Sequence, residues 1–187
     1  MRTAPVFEKV FGKLFGELCW GVRPGHGSFL TLEFGKPLLE IRESVVAKQG
    51  ASAAVRNRLA SRTVNVRGEW HLWIYCCDWQ VFSAGKRIGD SSTKLKMRAA
   101  ADCLSGQKLV RFSQSARNSR SEFGFDLGAT LRTRPFDSKS EQWMLFEPSR
   151  KVLVVRADGR YGYQHSDRPR KQDGWRPIQV GAVPTRC

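Results

Sequence analysis

Ser28-Phe29-Leu30-Thr31-Leu32-Glu33-Phe34-Gly35, followed by Leu38, and Ser121-Glu122-Phe123-Gly124-Phe125-Asp126-Leu127-Gly128, followed by Leu131, are two stretches with one pattern. With Gly35 set on Gly128, Leu30 falls on Phe123, Leu32 on Phe125, Phe34 on Leu127 and Leu38 on Leu131. An acid, Glu33 or Asp126, precedes the last apolar residue in each. Period-2 alternation ending at a glycine predicts strand, tight turn, strand. The match continues outward. Leu14-Phe15-Gly16 aligns with Leu104-Ser105-Gly106, and Trp70-His71-Leu72-Trp73 with Trp143-Met144-Leu145-Phe146. Val81-Phe82-Ser83-Ala84-Gly85 aligns with the segment ending Ala157-Asp158-Gly159. The conserved order predicts a tandem duplication of a helix-plus-strands unit, with one long loop changing the spacing. Two unrelated amphipathic strand pairs also align this way, so the pattern leaves both readings open.

A chain of 187 residues fits one domain, or two small halves sharing a core. Its hydrophobic content of 41%, with 11% aromatic, is enough to bury that core. The expected fold is α+β, mainly antiparallel β-sheet with two helices, one opening each half. The expected domain is 1–164, in halves of about 5–88 and 91–164, followed by a mobile basic tail, 165–187. No apolar run reaches membrane-spanning length, and the first residues lack the apolar core of a secretory signal. The five cysteines are odd in number and have no Cys-x-x-Cys spacing. A reducing, cytoplasmic location is therefore expected, with no membrane partner.

Phe7, Val10, Phe11, Leu14 and Phe15 recur at helical spacing, so residues 5–15 are expected to form a helix, capped by Thr3 and ended by Gly16. Strand Leu18–Val22 leads into a turn at Arg23–Gly27. The return strand of the first stretch runs through Leu38, Leu39 and Ile41. Glu43–Arg62 has no clean period and reads as a long surface loop, with room for a helical turn near Ala53–Leu59. Strands follow at Thr63–Val66 and Glu69–Cys76, and Trp79–Phe82 is expected to pair back on the latter. Trp73 and Tyr75 lie on the second face of that strand. The matching Met144 and Phe146 predict that this face packs against a helix. Thr93–Leu104 is expected as the second helix, with Met97, Ala100, Ala101 and Leu104 inward. The second half then repeats the scheme: strand Lys108–Gln114, the second stretch returning to Arg134, a hairpin around Pro148-Ser149-Arg150, and a last strand Arg160–Gln164. The expected core is Phe11, Leu14, Leu30, Leu32, Phe34, Trp70, Leu72, Leu104, Phe123, Phe125, Leu127, Trp143 and Leu145.

The chemistry is sparse. His26, His71 and His165 share no metal-ligand spacing with one another or with a cysteine. Cys19 and His26 flank one expected hairpin, but a turn histidine is the simpler reading. Glu33 and Asp126 fall on the polar sides of their strands and are expected to be solvated. No catalytic, cofactor-binding or metal-ligating residue is assigned, no cofactor is expected, and an enzyme ranks last.

Charge is the informative quantity. The net charge is +15, with +4 in 43–67 and +7 in 86–120. Lys86, Arg87, Lys94, Lys96, Arg98, Lys108, Arg111, Arg117 and Arg120 lie in one loop–helix–hairpin unit, offset by Asp90 and Asp102. At least five of them are expected on one surface, joined by Arg56, Arg58 or Arg62 from the long loop. Such a surface attracts acidic partners, nucleic acid among them, without any special fold. No RRM, KH or zinc-finger signature accompanies it.

The segment Leu104-x-Gly106-x-x-Leu109, Phe125-Asp126-x-Gly128-x-x-Leu131 and Trp143-x-Leu145-x-x-Pro148-x-x-x-Val152-Leu153 resembles a pattern in uncharacterised bacterial domains. Relatives of that kind are similar to small β-rich accessory proteins, some of them immunity proteins of toxin systems. The resemblance implies a non-enzymatic, protein-binding accessory or immunity-like module of a bacterium, and it carries no catalytic residue. The alternative is a nucleic-acid-binding module acting through its basic surface.

Overall fold

The computed structural model describes residues 2–115, 118–168 and 174–180. In chain order its elements are β1 (Arg2–Thr3), α1 (Pro5–Leu14), β2 (Cys19–Pro24), β3 (Leu30–Arg42), α2 (Ala53–Leu59), β4 (Thr63–Ile74), β5 (Cys77–Ser83) and β6 (Lys86–Asp90). There follow α3 (Lys94–Leu104), β7 (Leu109–Gln114), β8 (Ser121–Phe125), β9 (Thr130–Pro135), β10 (Glu141–Phe146), β11 (Lys151–Arg156), β12 (Arg160–His165), β13 (Arg176–Pro177) and β14 (Gln179–Val180). The architecture is α+β. A seven-stranded antiparallel sheet runs β13-β12-β11-β10-β4-β3-β2, and a five-stranded one runs β6-β5-β9-β8-β7.

The two longer helices follow their apolar periods. Phe7, Val10, Phe11 and Leu14 of α1 are buried, and so are Met97, Ala100, Ala101 and Leu104 of α3. The Thr93 hydroxyl caps α3 by accepting from the Lys96 N–H at 3.3 Å. Ala4, not Thr3, is the N-cap of α1, and its side chain makes no cap bond. Its own N–H donates to the Ile178 carbonyl instead, at 2.8 Å. A third helix, α2, stands in the long loop where the helical turn at Ala53–Leu59 was expected, and Ser52 caps it. Its helix-forming run is too short and too polar to show a period, and none of its side chains is buried.

Both sheets contribute their inner faces to one core. The chain crosses from the first sheet to the second at Tyr75–Cys76, where Cys76 adopts a φ of 47°. Consequently β5 pairs with β9 and β6, and Trp79–Phe82 does not fold back on β4. The chain returns to the first sheet after β9, so the seven-stranded sheet holds strands from both ends of the chain and the five-stranded sheet those of its middle. Alternation reports which residues face inward but not which strand lies alongside. That is why the sequence pattern missed this crossing.

The two helix-to-strand junctions bond to each other. The Gly16 N–H donates to the Leu109 carbonyl and the Gly106 N–H to the Cys19 carbonyl, both at 2.8 Å. The Cys19 N–H reaches Gln107 and the Leu109 N–H reaches Glu17, and Leu18 bridges Lys108. Cys19 then pairs with Phe34, and Leu109 pairs with Phe125. Phe34 and Phe125 thus lie opposite the strand residues that follow the two junctions, whereas an alignment on the glycines sets Phe34 against Leu127.

Gly35 makes no tight turn: β3 runs through it, with a register shift between Phe34 and Pro37. Leu127, expected in the core, is 72% exposed in the turn between β8 and β9, while the other twelve expected core residues are buried. An even shift of register preserves the inward phase, so only the residue at the end of the stretch was misplaced.

The second face of β4 also differs from expectation. Among the described residues no helix covers it; Trp73 is exposed, and its ring meets those of His71 and Phe146. Part of the expected tail is docked. Ile178 is buried in the core, and Trp175 lies over Gly162 with the Arg156 guanidinium 4.8 Å from its ring centre. The remainder, 169–173 and 181–187, lies outside the described residues.

Candidate functional site

β3 and β4 outrun the sheet they belong to. Beyond Phe34, among the described residues, they pair only with each other, from Pro37 opposite Gly68 to Arg42 opposite Thr63, and residues 43–62, with α2, close the tip. The result is a projecting two-stranded ribbon.

Its root is tightly held. Gly35 has a φ of 75°, which glycine adopts without cost. The Lys36 N–H donates to Glu69 at 3.0 Å, and the Gly68 N–H donates to Glu33 at 2.9 Å. The other Glu33 oxygen lies 2.7 Å from His71 Nδ1, and the Trp73 indole N–H donates to His71 Nε2. Glu33 was expected to be solvated. It is buried because the ribbon root needs an acceptor for the Gly68 N–H. Asp126 is exposed in its turn and accepts from the Lys108 N–H at 2.7 Å, so the two acids play separate roles.

Directly opposed residues share a face of a ribbon. One face carries Leu39 with Val66 and Ile41 with Val64, all exposed. The other carries Leu38 with Arg67, Glu40 with Asn65, and Arg42 with Thr63. Residues 36–67 hold seven lysines and arginines against Glu40 and Glu43. Of the three arginines singled out in the loop, Arg62 pairs with Glu43 at 2.8 Å in the open. Arg56 donates to the Ala51 carbonyl at 2.5 Å, and Arg58 is exposed on α2. Solvent screening leaves such an exposed pair easy to exchange for an outside anion.

The second basic region is the outer face of the five-stranded sheet. Lys86 and Arg87 lie on β6, and Lys94, Lys96 and Arg98 lie on the adjoining α3. Asp90 joins two of them, at 3.7 Å from Arg87 and 3.6 Å from Lys96. Burial pushes the Asp90 carboxyl up, but the Ser92 hydroxyl and N–H, with Lys96 and Arg87, outweigh it and hold the group below its usual range. Arg111 and Arg132 share Glu122, at 2.9 and 2.8 Å, and Arg134 pairs with Asp78 at 2.8 Å. Arg120 reaches the same face, beside a hollow of about 340 Å³.

Of the nine middle-segment cations, Arg87, Lys96, Arg111 and Arg120 therefore gather here. Lys108 sits at the junction with Leu18, and Arg117 lies outside the described residues. Arg56, Arg58 and Arg62 belong to the ribbon of the other sheet. Arg132 and Arg134 were missed, although the alternation Leu131-Arg132-Thr133-Arg134 puts both on the polar side of β9.

Other candidates recede. Cys19 is buried, and burial, then the charge of Glu33, pushes its thiol far up, which makes it a poor nucleophile beside the exposed His26. Among the described residues no three His, Cys, Asp or Glu side chains gather to hold a metal. No helix of the described residues is long and apolar enough to cross a membrane. Set against protein-family models, curated proteins and solved structures, the chain matches none of them.

Proposed function

We propose that the protein is a non-enzymatic binding module that grips nucleic acid with its ribbon. The observation that carries this reading is the ribbon itself: a projecting antiparallel pair, net +5 over residues 36–67, with one apolar face. Its paired length, six residues a strand, is roughly 20 Å, and a B-form major groove about 12 Å wide admits a two-stranded ribbon. Lys36, Arg42, Lys48, Arg56, Arg58, Arg62 and Arg67 supply phosphate contacts. Leu39, Ile41, Val64 and Val66 supply apolar contact with sugars and thymine methyls.

Charge decides between this and the protein-binding accessory reading. The apolar face alone suits either partner, but seven cations around it would need an equally acidic protein surface. Replacing Arg56, Arg58 and Arg62 together with Gln is expected to lower the slope of log affinity against log salt by about 2–3. Affinity for a duplex at moderate salt should fall at least about tenfold, with the unfolding midpoint unchanged. An unaltered slope rejects the ribbon as the contact. A single host protein retained on the immobilised chain after nuclease treatment would favour the accessory reading.

We infer too that the chain is a tandem duplication whose halves exchange strands. The reciprocal junctions at Gly16 and Gly106 support this, as does the parallel order β2-β3-β4 and β7-β8-β9. Each triplet is completed by a hairpin from the other half, β10-β11 beside β4 and β6-β5 beside β9. Trp79 and Trp143, one from each hairpin, donate their indole N–H groups to the Ser28 carbonyl and the Ser121 hydroxyl, at 2.6 and 2.7 Å. By crystallography, helix, junction and first two strands of the halves should superpose within about 2 Å, with Phe34 on Phe125. A superposition that needs Phe34 on Leu127, or none at all, rejects the inference.

A further inference from the structure

The hollow on the five-stranded sheet has a composition that the ribbon does not explain. It is lined by Arg120, Arg132, Arg134, Ser91 and Ser92, with the buried Trp79 and Thr133 between them. Two carboxylates also line it, Asp78 and Asp90, and both are already engaged. Asp78 accepts from Arg134 at 2.8 Å and from the Ser91 hydroxyl at 3.3 Å. Asp90 accepts from Ser92 and faces Lys96 and Arg87. Glu122, just outside, is shared by Arg111 and Arg132. Six cations therefore surround three acids. These acids hold the guanidiniums of Arg132 and Arg134 in place, which removes part of the entropy cost of binding an anion. The Arg132 guanidinium is further fixed 4.9 Å from the centre of the Phe82 ring. Arg120 has no ion-pair partner among the described residues, so its guanidinium is the one available to an incoming group.

A phosphodiester within a strand carries one negative charge and needs an open groove to run through. A phosphate monoester carries close to two near neutral pH and ends the strand. The hollow, at about 340 Å³, has room for a phosphate and part of its nucleoside. Three arginines against two carboxylates line the hollow, and with Arg87, Lys96, Arg111 and Glu122 around it the excess of cations rises to three, which suits the dianion better than the monoanion.

We propose that the hollow framed by Arg120, Arg132 and Arg134 binds the 5′-phosphate monoester at the end of a nucleic-acid strand, an inference that rests on the nucleic-acid reading above. The test compares two oligonucleotides of one sequence, with a 5′-phosphate and with a 5′-hydroxyl, by fluorescence anisotropy at fixed salt. A nucleoside 5′-monophosphate, titrated by NMR, is the third probe. The phosphorylated strand should bind about tenfold or more tightly. Arg120→Gln should remove that advantage without changing affinity for the hydroxyl strand, while Arg120→Lys keeps part of it. Arg120 is exposed and makes no side-chain bond within the described residues, so the variants should fold normally.

Equal affinities for the two strands overturn the pocket while leaving the function intact. Binding of the monophosphate alone, with neither strand bound, overturns the strand-end assignment and the nucleic-acid reading together. Binding of none of the three overturns both. An advantage of the phosphorylated strand that survives Arg120→Gln overturns the placement of the phosphate in this hollow.

Discussion

Replacing Trp143 with Ala is expected to cost about 3–5 kcal/mol of stability, read as a shift in the denaturant midpoint at constant m. The side chain is fully buried on β10, and its ring is the meeting point of the core. Phe7 and Phe11 of α1 approach it edge-on at 6.4 and 6.1 Å, and Phe112 of β7 and Phe123 of β8 do so at 5.6 Å. Trp143 thus ties the seven-stranded sheet to a helix and to the five-stranded sheet at once, so no single element can shift to fill the space it leaves. Its indole N–H also donates to the Ser121 hydroxyl at 2.7 Å. Trp143→Phe keeps most of the volume and loses that bond, so it should cost less, about 1–2 kcal/mol. A loss below about 1.5 kcal/mol for the alanine variant would mean that the aromatic cluster collapses easily and does not hold the layers together.

Gly89→Ala is expected to be nearly as damaging, for the opposite reason. A Cβ built on Gly89 would lie 2.2 Å from the Lys96 carbonyl oxygen and 2.8 Å from the Ala100 Cβ. Both atoms belong to α3, which packs on β6 at this point, and a helix backbone cannot yield locally without breaking its own bonds. The helix must move as a body. That lifts Met97, Ala100 and Leu104 from the core and draws Lys96 away from Asp90. Overpacking of this kind costs about 1–3 kcal/mol, and a backbone clash takes it to the upper end. Hydrogen exchange should localise the damage: amides of α3 and β6 should exchange faster, while those of β10 and β11 keep their protection. Uniform loss of protection would show instead that α3 and the sheets unfold as one unit. An unchanged denaturant midpoint would show that the helix tolerates the displacement.

Much of the local structure was legible in the chain. The periods of α1 and α3, the hairpin around Pro148–Arg150 and the inward sets of β3, β8 and β10 follow from side-chain spacing alone, because helix and strand impose fixed angular repeats. Glycine was the misleading signal. Gly35 and Gly128 both need a positive φ, but one serves a bulge inside a continuous strand and the other a turn between strands. Aligning them put Leu127 in the core. The basic face was half legible: Arg132 and Arg134 alternate with inward residues, but only the pairing of β9 with β5 and β8 brings Asp78 and Glu122 to them.

What the sequence determined by itself was the set of residues that leave water, the strongly positive charge, and the two longer helices, α1 and α3. These depend on composition and on neighbours a few positions apart. The tertiary structure alone decided the crossing of the chain between the two sheets, the projection of residues 36–67 as a ribbon, the burial of Glu33 against Gly68 and His71, and the docking of Ile178. Each of these depends on which distant backbone groups become partners. Strands with the same alternation satisfy their hydrogen bonds equally well beside many neighbours, so the choice rests on how the whole core fills.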